Sequence, residues 1–88
     1  MVCYRLVISG KVQGVFYRAS TKKMADSLHL SGWVQNEADG TVHAEVEGAE
    51  EKVMEMIEWC KQGPVHAIVN EVVHDQINTQ GYQGFVIR

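Results

Sequence analysis

The chain predicts an α+β sandwich in which two helices cover one face of a mostly antiparallel sheet. Alternating apolar strands stand at the start, middle and end of the sequence, and two stripes of helical period lie between them. At 88 residues there is room for one core and no second domain, so residues 1–88 are expected to form a single unit. Such a chain buries only roughly 60–65% of its unfolded surface, which leaves little spare stability.

Each element follows from its residues. Tyr4, Leu6 and Ile8 alternate with Arg5, Val7 and Ser9, which marks a half-buried strand ending near Gly10. Thr21, Met24, Ala25 and Leu28 fall at i, i+3, i+4 and i+7, so a helix is expected from about Arg18 to His29. The stretch "SGWVQNEADGTVHAEVEG" reads as a hairpin, with Val42, Ala44 and Val46 inward, Thr41, His43 and Glu45 outward, and Asp39-Gly40 at the turn. In "AEEKVMEMIEWCKQGP", Val53, Met56, Ile57 and Cys60 share one helical stripe, Glu50 and Glu51 suit the first turn, and Gly63-Pro64 follows the end. The methionines and Trp59 of this helix are read as core or near-core packing. "HAIVNEVVH" is a fourth strand, "DQINTQGYQ" a polar loop and "GFVIR" a short closing strand. The order is βαββαβ plus a short C-terminal strand, that of a ferredoxin-like sandwich.

Composition narrows the function classes. An apolar share of 45% and a charged share of 22% are ordinary globular values, and no apolar run nears the roughly 18 residues that span a bilayer. A soluble protein with no membrane partner is expected. "MVCYRLVISG" lacks the parts of an export signal, which points to the cytoplasm and to free thiols at Cys3 and Cys60. There is no Cys-x-x-Cys pair, and His29, His43, His66 and His74 are scattered, so neither metal nor other cofactor is expected. Nothing demands a partner subunit, and a monomer is the expectation.

Charge is uneven along the chain. Arg5, Lys11, Arg18, Lys22 and Lys23 all precede Asp26, and every one of the eleven acids lies from there onward. A local basic region on an acidic body suits a small anion better than a long polyanion such as a nucleic acid.

The stretch "GKVQGVFYR", residues 10–18, joins the first strand to the first helix. A loop leading into a helix N-terminus can aim consecutive N–H groups into one hollow, where the helix dipole favours an anion. Gly14 permits the curvature, and Val12, Val15 and Phe16 are expected to pin the loop to the body. Arg18 adds a permanent charge whose fork matches phosphate oxygens. The same residues would also serve a plain crossover with a surface arginine. Asn36, at the end of the second strand, is either a turn former or a donor and acceptor facing the same hollow, able to hold a water.

"GKVQGVFYRAST" and "LSGWVQNEADGTVHAEVEG" together resemble the paired signature of the acylphosphatase family, and the match in element order covers essentially the whole chain. The resemblance implies hydrolysis of an acyl phosphate to carboxylate and inorganic phosphate, without metal or covalent phosphoenzyme. It implies that Arg18 holds the phosphate beside the loop amides of Gln13, Gly14, Val15, Phe16 and Tyr17, and that Asn36 positions the attacking water. Three positions depart from the family's usual pattern: Phe16 stands where glycine is frequent, Tyr17 where phenylalanine is common, and His29 where a small residue is usual. The alternative from another class is a non-catalytic ferredoxin-like module that binds RNA or a small anion. RNA binding would want aromatics on the central strands, and only Tyr4 is offered there.

Overall fold

The computed structural model describes residues 1–88. The elements are β1 (Val2–Lys11), α1 (Tyr17–Ser27), β2 (Ser31–Asn36), β3 (Val42–Gly48), α2 (Glu50–Cys60), β4 (Ile68–Ile77) and β5 (Phe85–Ile87). They form one sheet of order β4-β1-β3-β2-β5. β1 and β2 flank β3 and both run antiparallel to it, so their C-terminal ends emerge at the same edge. β4 closes the far side of β1 antiparallel, and β5 runs parallel beside β2. The arrangement is the ferredoxin-like α+β sandwich that the element order predicts.

The core lies between the helices and one sheet face. Register sets Leu6 opposite Ala44 and Ile8 opposite Val42, and these side chains pack with Val34 and Val46 against Ala25, Val53, Met56 and Ile57. Helix α2 matches its predicted stripe, with Val53, Met56, Ile57 and Cys60 buried, and Met54 and Trp59 packed at its margin. Helix α1 ends in a Schellman turn: Leu30 N–H donates to Ala25 O and His29 N–H to Asp26 O. His29 takes the left-handed conformation this turn requires, at φ 57°.

Several boundaries differ from the expectation. β1 continues past Gly10 to Lys11 through a register shift at Ser9/Gly10, which keeps it paired with β4. α1 begins at Tyr17 and stops at Ser27, where the Schellman turn takes over. β4 runs on through Asp75 and Gln76 to Ile77, residues expected in the loop. Pairing with Cys3, Tyr4 and Arg5 of β1 extends an edge strand whose polar side chains meet solvent.

Glu45 is expected to face solvent, and it does point away from the helices. Yet Glu45 and Glu47 are only 4% and 3% exposed. The segment 78–84 crosses this face of the sheet as a strap. Glu47 accepts the N–H groups of Gln80 and Tyr82, while Glu45 accepts Tyr82 Oη at 2.5 Å and Arg5 at 2.7 Å and 2.9 Å. Trp33 Nε1 donates to Tyr82 Oη from the next strand, and Arg88 stacks over the Trp33 ring at 4.5 Å. Burial raises the Glu45 carboxyl, but the donors Tyr82 and Arg5 outweigh it and hold the group below the usual range. Cys3 is buried beneath the strap, and burial together with Glu47 and Glu45 pushes its thiol up to about 11. Cys60, also free, is buried in α2, which pushes it up to about 12.

Candidate active site

A cavity of about 330 Å³ opens at the sheet edge where β1 and β2 end. The loop contributes Val12, Gly14 and Phe16, the first turn of α1 contributes Tyr17, Arg18 and Ala19, and the strand ends supply Asn36 and Ile87. Arg18 and Asn36, eighteen positions apart in the chain, therefore face one hollow.

The loop turns sharply at its centre. Gly14 has φ 75°, a conformation that glycine adopts without strain, and a Cβ there would meet nothing. Phe16 is also left-handed, at φ 64° and ψ 24°, and serves as the N-cap of α1 without a side-chain cap bond. The first main-chain bond of the helix is Ser20 N–H to Phe16 O at 3.0 Å. None of the N–H groups from Gln13 to Ala19 donates to an acceptor within the chain. Such unpaired donors at a helix start carry the positive end of its dipole.

Val12 and Val15 pin the loop as expected, both being buried in the core cluster. Phe16 does not, since its side chain is 77% exposed. The left-handed backbone swings the ring outward instead of onto the body. Tyr17 is the reverse case: its ring is buried, stacks near Trp59 with centroids 5.8 Å apart, and donates its hydroxyl to Cys60 O at 2.7 Å. Burial raises this phenol's pKa, and with the hydroxyl committed to Cys60 O only the main chain of Tyr17 can serve the cavity.

Gln13 has a second role that the sequence did not indicate. Its Nε2 donates to Glu37 O at 2.8 Å and to Thr41 O at 2.9 Å, at the two sides of the β2–β3 turn. The side chain is thus a brace turned from the cavity, and only its N–H is available to a ligand.

Arg18 is half-buried and makes no hydrogen bond or ion pair within the chain, unlike Arg5, which is committed to Glu45. The basic residues clustered in sequence do not form one patch. Arg5 lies on the opposite sheet face, and Lys22 is held by Asp26 and by Phe85 O. Of the five, Arg18 alone lines the cavity.

Asn36 ends β2 on the same sheet face as Val34, two residues earlier. Its Oδ1 is buried and has no hydrogen-bond partner within the chain, so it is free to accept from a water or a ligand donor in the cavity. Ile87 was not anticipated. It reaches the wall because β5 adds parallel to β2 with Ile87 beside Val34.

A larger groove, about 520 Å³, lies between the helices along Met24, Leu28, Met54 and Trp59. Its charged groups are Glu51, Glu55 and Glu58, which repel an anion. No three His, Cys, Asp or Glu side chains are grouped to hold a metal ion.

Fold and cavity define a small α+β sandwich with a hollow, lined by an uncommitted arginine and unpaired N–H groups, at the join of its first strand and helix. A sequence model of the family described as Acylphosphatase matches residues 4–87. An acylphosphatase of Acaryochloris marina is 48% identical over 87 residues, covering 99% of this chain and 94% of that one. Two solved structures superpose closely. The acylphosphatase of Coxiella burnetii has a TM-score of 0.96 at 39% identity, covering 99% of this chain and 92% of that one. The acylphosphatase of Bacillus subtilis has a TM-score of 0.97 at 32% identity, covering 100% and 99%. The chain belongs to the acylphosphatase family.

Proposed function

We propose that the protein hydrolyses acyl phosphates to carboxylate and inorganic phosphate, with the phosphoryl group held in the cavity beside Arg18. The observation that carries this reading is the shared hollow: an uncommitted guanidinium, a run of unpaired N–H groups and a carboxamide with an orphan acceptor.

Few groups suffice for this reaction. The water oxygen forms a bond to phosphorus, the bond from phosphorus to the acyl oxygen breaks, and the electron pair leaves with the carboxylate. A carboxylate departs without being protonated, so no general acid is needed. One water proton stays with the attacking oxygen and the other passes to a phosphoryl oxygen, giving dihydrogen phosphate. What remains is charge on the equatorial oxygens, which preorganised N–H groups and a guanidinium stabilise. Asn36 Oδ1 accepts from the attacking water and fixes its approach, a role that needs no titration near neutral pH. Every group comes from one chain, so a monomer is complete. Buried free thiols at Cys3 and Cys60 fit a reducing compartment, in keeping with the cytoplasm.

The RNA-binding alternative finds less support. The helix-free sheet face, where bases would stack, carries Glu45 and Glu47 under the strap. Benzoyl phosphate hydrolysis assayed with excess chelator tests the proposal. Turnover that persists in chelator is expected, and its absence with and without added divalent cations would overturn the reading.

A further inference from the structure

Phe16 is a costly residue for its place. A bulky L-residue at φ 64° is strained where glycine would not be, and its ring is not repaid by burial, being 77% exposed. The loop does not need the ring either, since Val12 and Val15 already anchor it. Strain retained at a cavity mouth points to a role in binding. A second large apolar side chain of the same wall, Ile87, is 43% exposed. These two exposed side chains must stand at the rim, while buried Val12 lies deeper.

The cavity is thus two-sided. Arg18, Asn36 and the loop N–H groups suit a dianionic phosphoryl group, but the side chains of Phe16 and Ile87 offer it no polar contact. A volume of about 330 Å³ falls within the range of small-molecule sites, leaving space beside a phosphoryl group for part of a second moiety.

We infer that Phe16 and Ile87 form an apolar lip that holds the acyl group, which makes the protein selective for acyl phosphates bearing an aromatic or bulky apolar carbon group. This rests on the proposed acyl phosphate hydrolysis. The ring is available for offset or edge contact with an aromatic acyl group, and Ile87 supplies aliphatic surface to it. An acetyl group is too small to fill the lip, and a charged acyl group would be desolvated against it.

The test compares kcat/KM for benzoyl phosphate and acetyl phosphate in the wild type, Phe16→Gly and Ile87→Ala. Glycine suits the backbone at position 16, so the first variant should fold, and Ile87→Ala gives an independent probe at the end of β5. The benzoyl-to-acetyl ratio is expected to fall by about tenfold in Phe16→Gly and by several-fold in Ile87→Ala, as when one apolar contact is lost from a pocket. A ratio that stays constant in both variants, with both substrates still hydrolysed, would overturn the lip. If the wild type hydrolyses neither substrate, the underlying reaction fails and the lip with it.

Discussion

Gln13 ties the strand–helix loop to Glu37, the residue directly after Asn36, through a 2.8 Å bond from its side-chain amide to the Glu37 carbonyl. A second bond to Thr41 O reaches the other side of the turn. Loop and hairpin are separate in sequence, and this clamp fixes the distance between the N–H hollow and Asn36. Gln13→Ala should lower stability by about 1–2 kcal/mol, the net worth of two partly buried hydrogen bonds. It should also lower kcat, because the proposed phosphoryl and water sites lose their shared reference. Urea unfolding and steady-state kinetics on one preparation check both, and a purely stability-linked effect would leave kcat untouched.

Arg18 is the charged side chain in the wall and has no internal partner. Arg18→Ala is expected to reduce turnover by about 10²–10³ and to weaken inhibition by inorganic phosphate, since the ligand loses its counter-charge as well as a donor. Arg18→Lys should recover part of the phosphate binding but little of the rate, because an ammonium lacks the guanidinium fork. Inhibition constants for phosphate in the three proteins measure this. An unchanged constant in Arg18→Ala would remove Arg18 from the anion site.

The strap across the open sheet face sets a pH dependence. Tyr82 and Arg5 hold the Glu45 carboxyl below its ordinary value of 4.5, so the native state favours the carboxylate. Its stabilisation is complete above about pH 4.5 and is lost as the pH falls through the lower, folded-state value. Arg5 is exposed, so solvent screens its part and the part-buried Tyr82 bond matters more. Glu45→Gln should be less stable at pH 7 by about 1–3 kcal/mol, and its stability should fall less steeply in acid. Urea unfolding from pH 7 down to pH 3 shows it, as parallel curves for the two proteins would assign the acid sensitivity elsewhere.

Much of the fold and of the cavity is legible in the sequence. Alternation at Val42, Ala44 and Val46 and the stripe at Val53, Met56 and Ile57 state which faces are buried, because packing follows period. The cavity's polar members also lie in two short motifs. What could not be read depends on contacts between distant segments or on unusual backbone. Phe16 carries no local sign of a positive φ, since only glycine and asparagine advertise it. Glu45 alternates like a solvent-facing residue, and nothing near it announces that Tyr82 will return across it. Ile87 belongs to the wall only because β5 docks parallel to β2, a tertiary choice. The early basic residues scatter because alternation along β1 turns Arg5 to the sheet face away from the helices, while Arg18 sits in the first turn of α1.

The most direct test of a shared hollow is the kinetic split of Asn36→Ala on benzoyl phosphate. A residue that holds the attacking water affects the transition state more than the ground state. The account predicts that kcat falls by about 10² or more while KM and the phosphate inhibition constant stay within about twofold of the wild type. A folded Asn36→Ala protein with undiminished kcat, or one in which only KM moves, would contradict it.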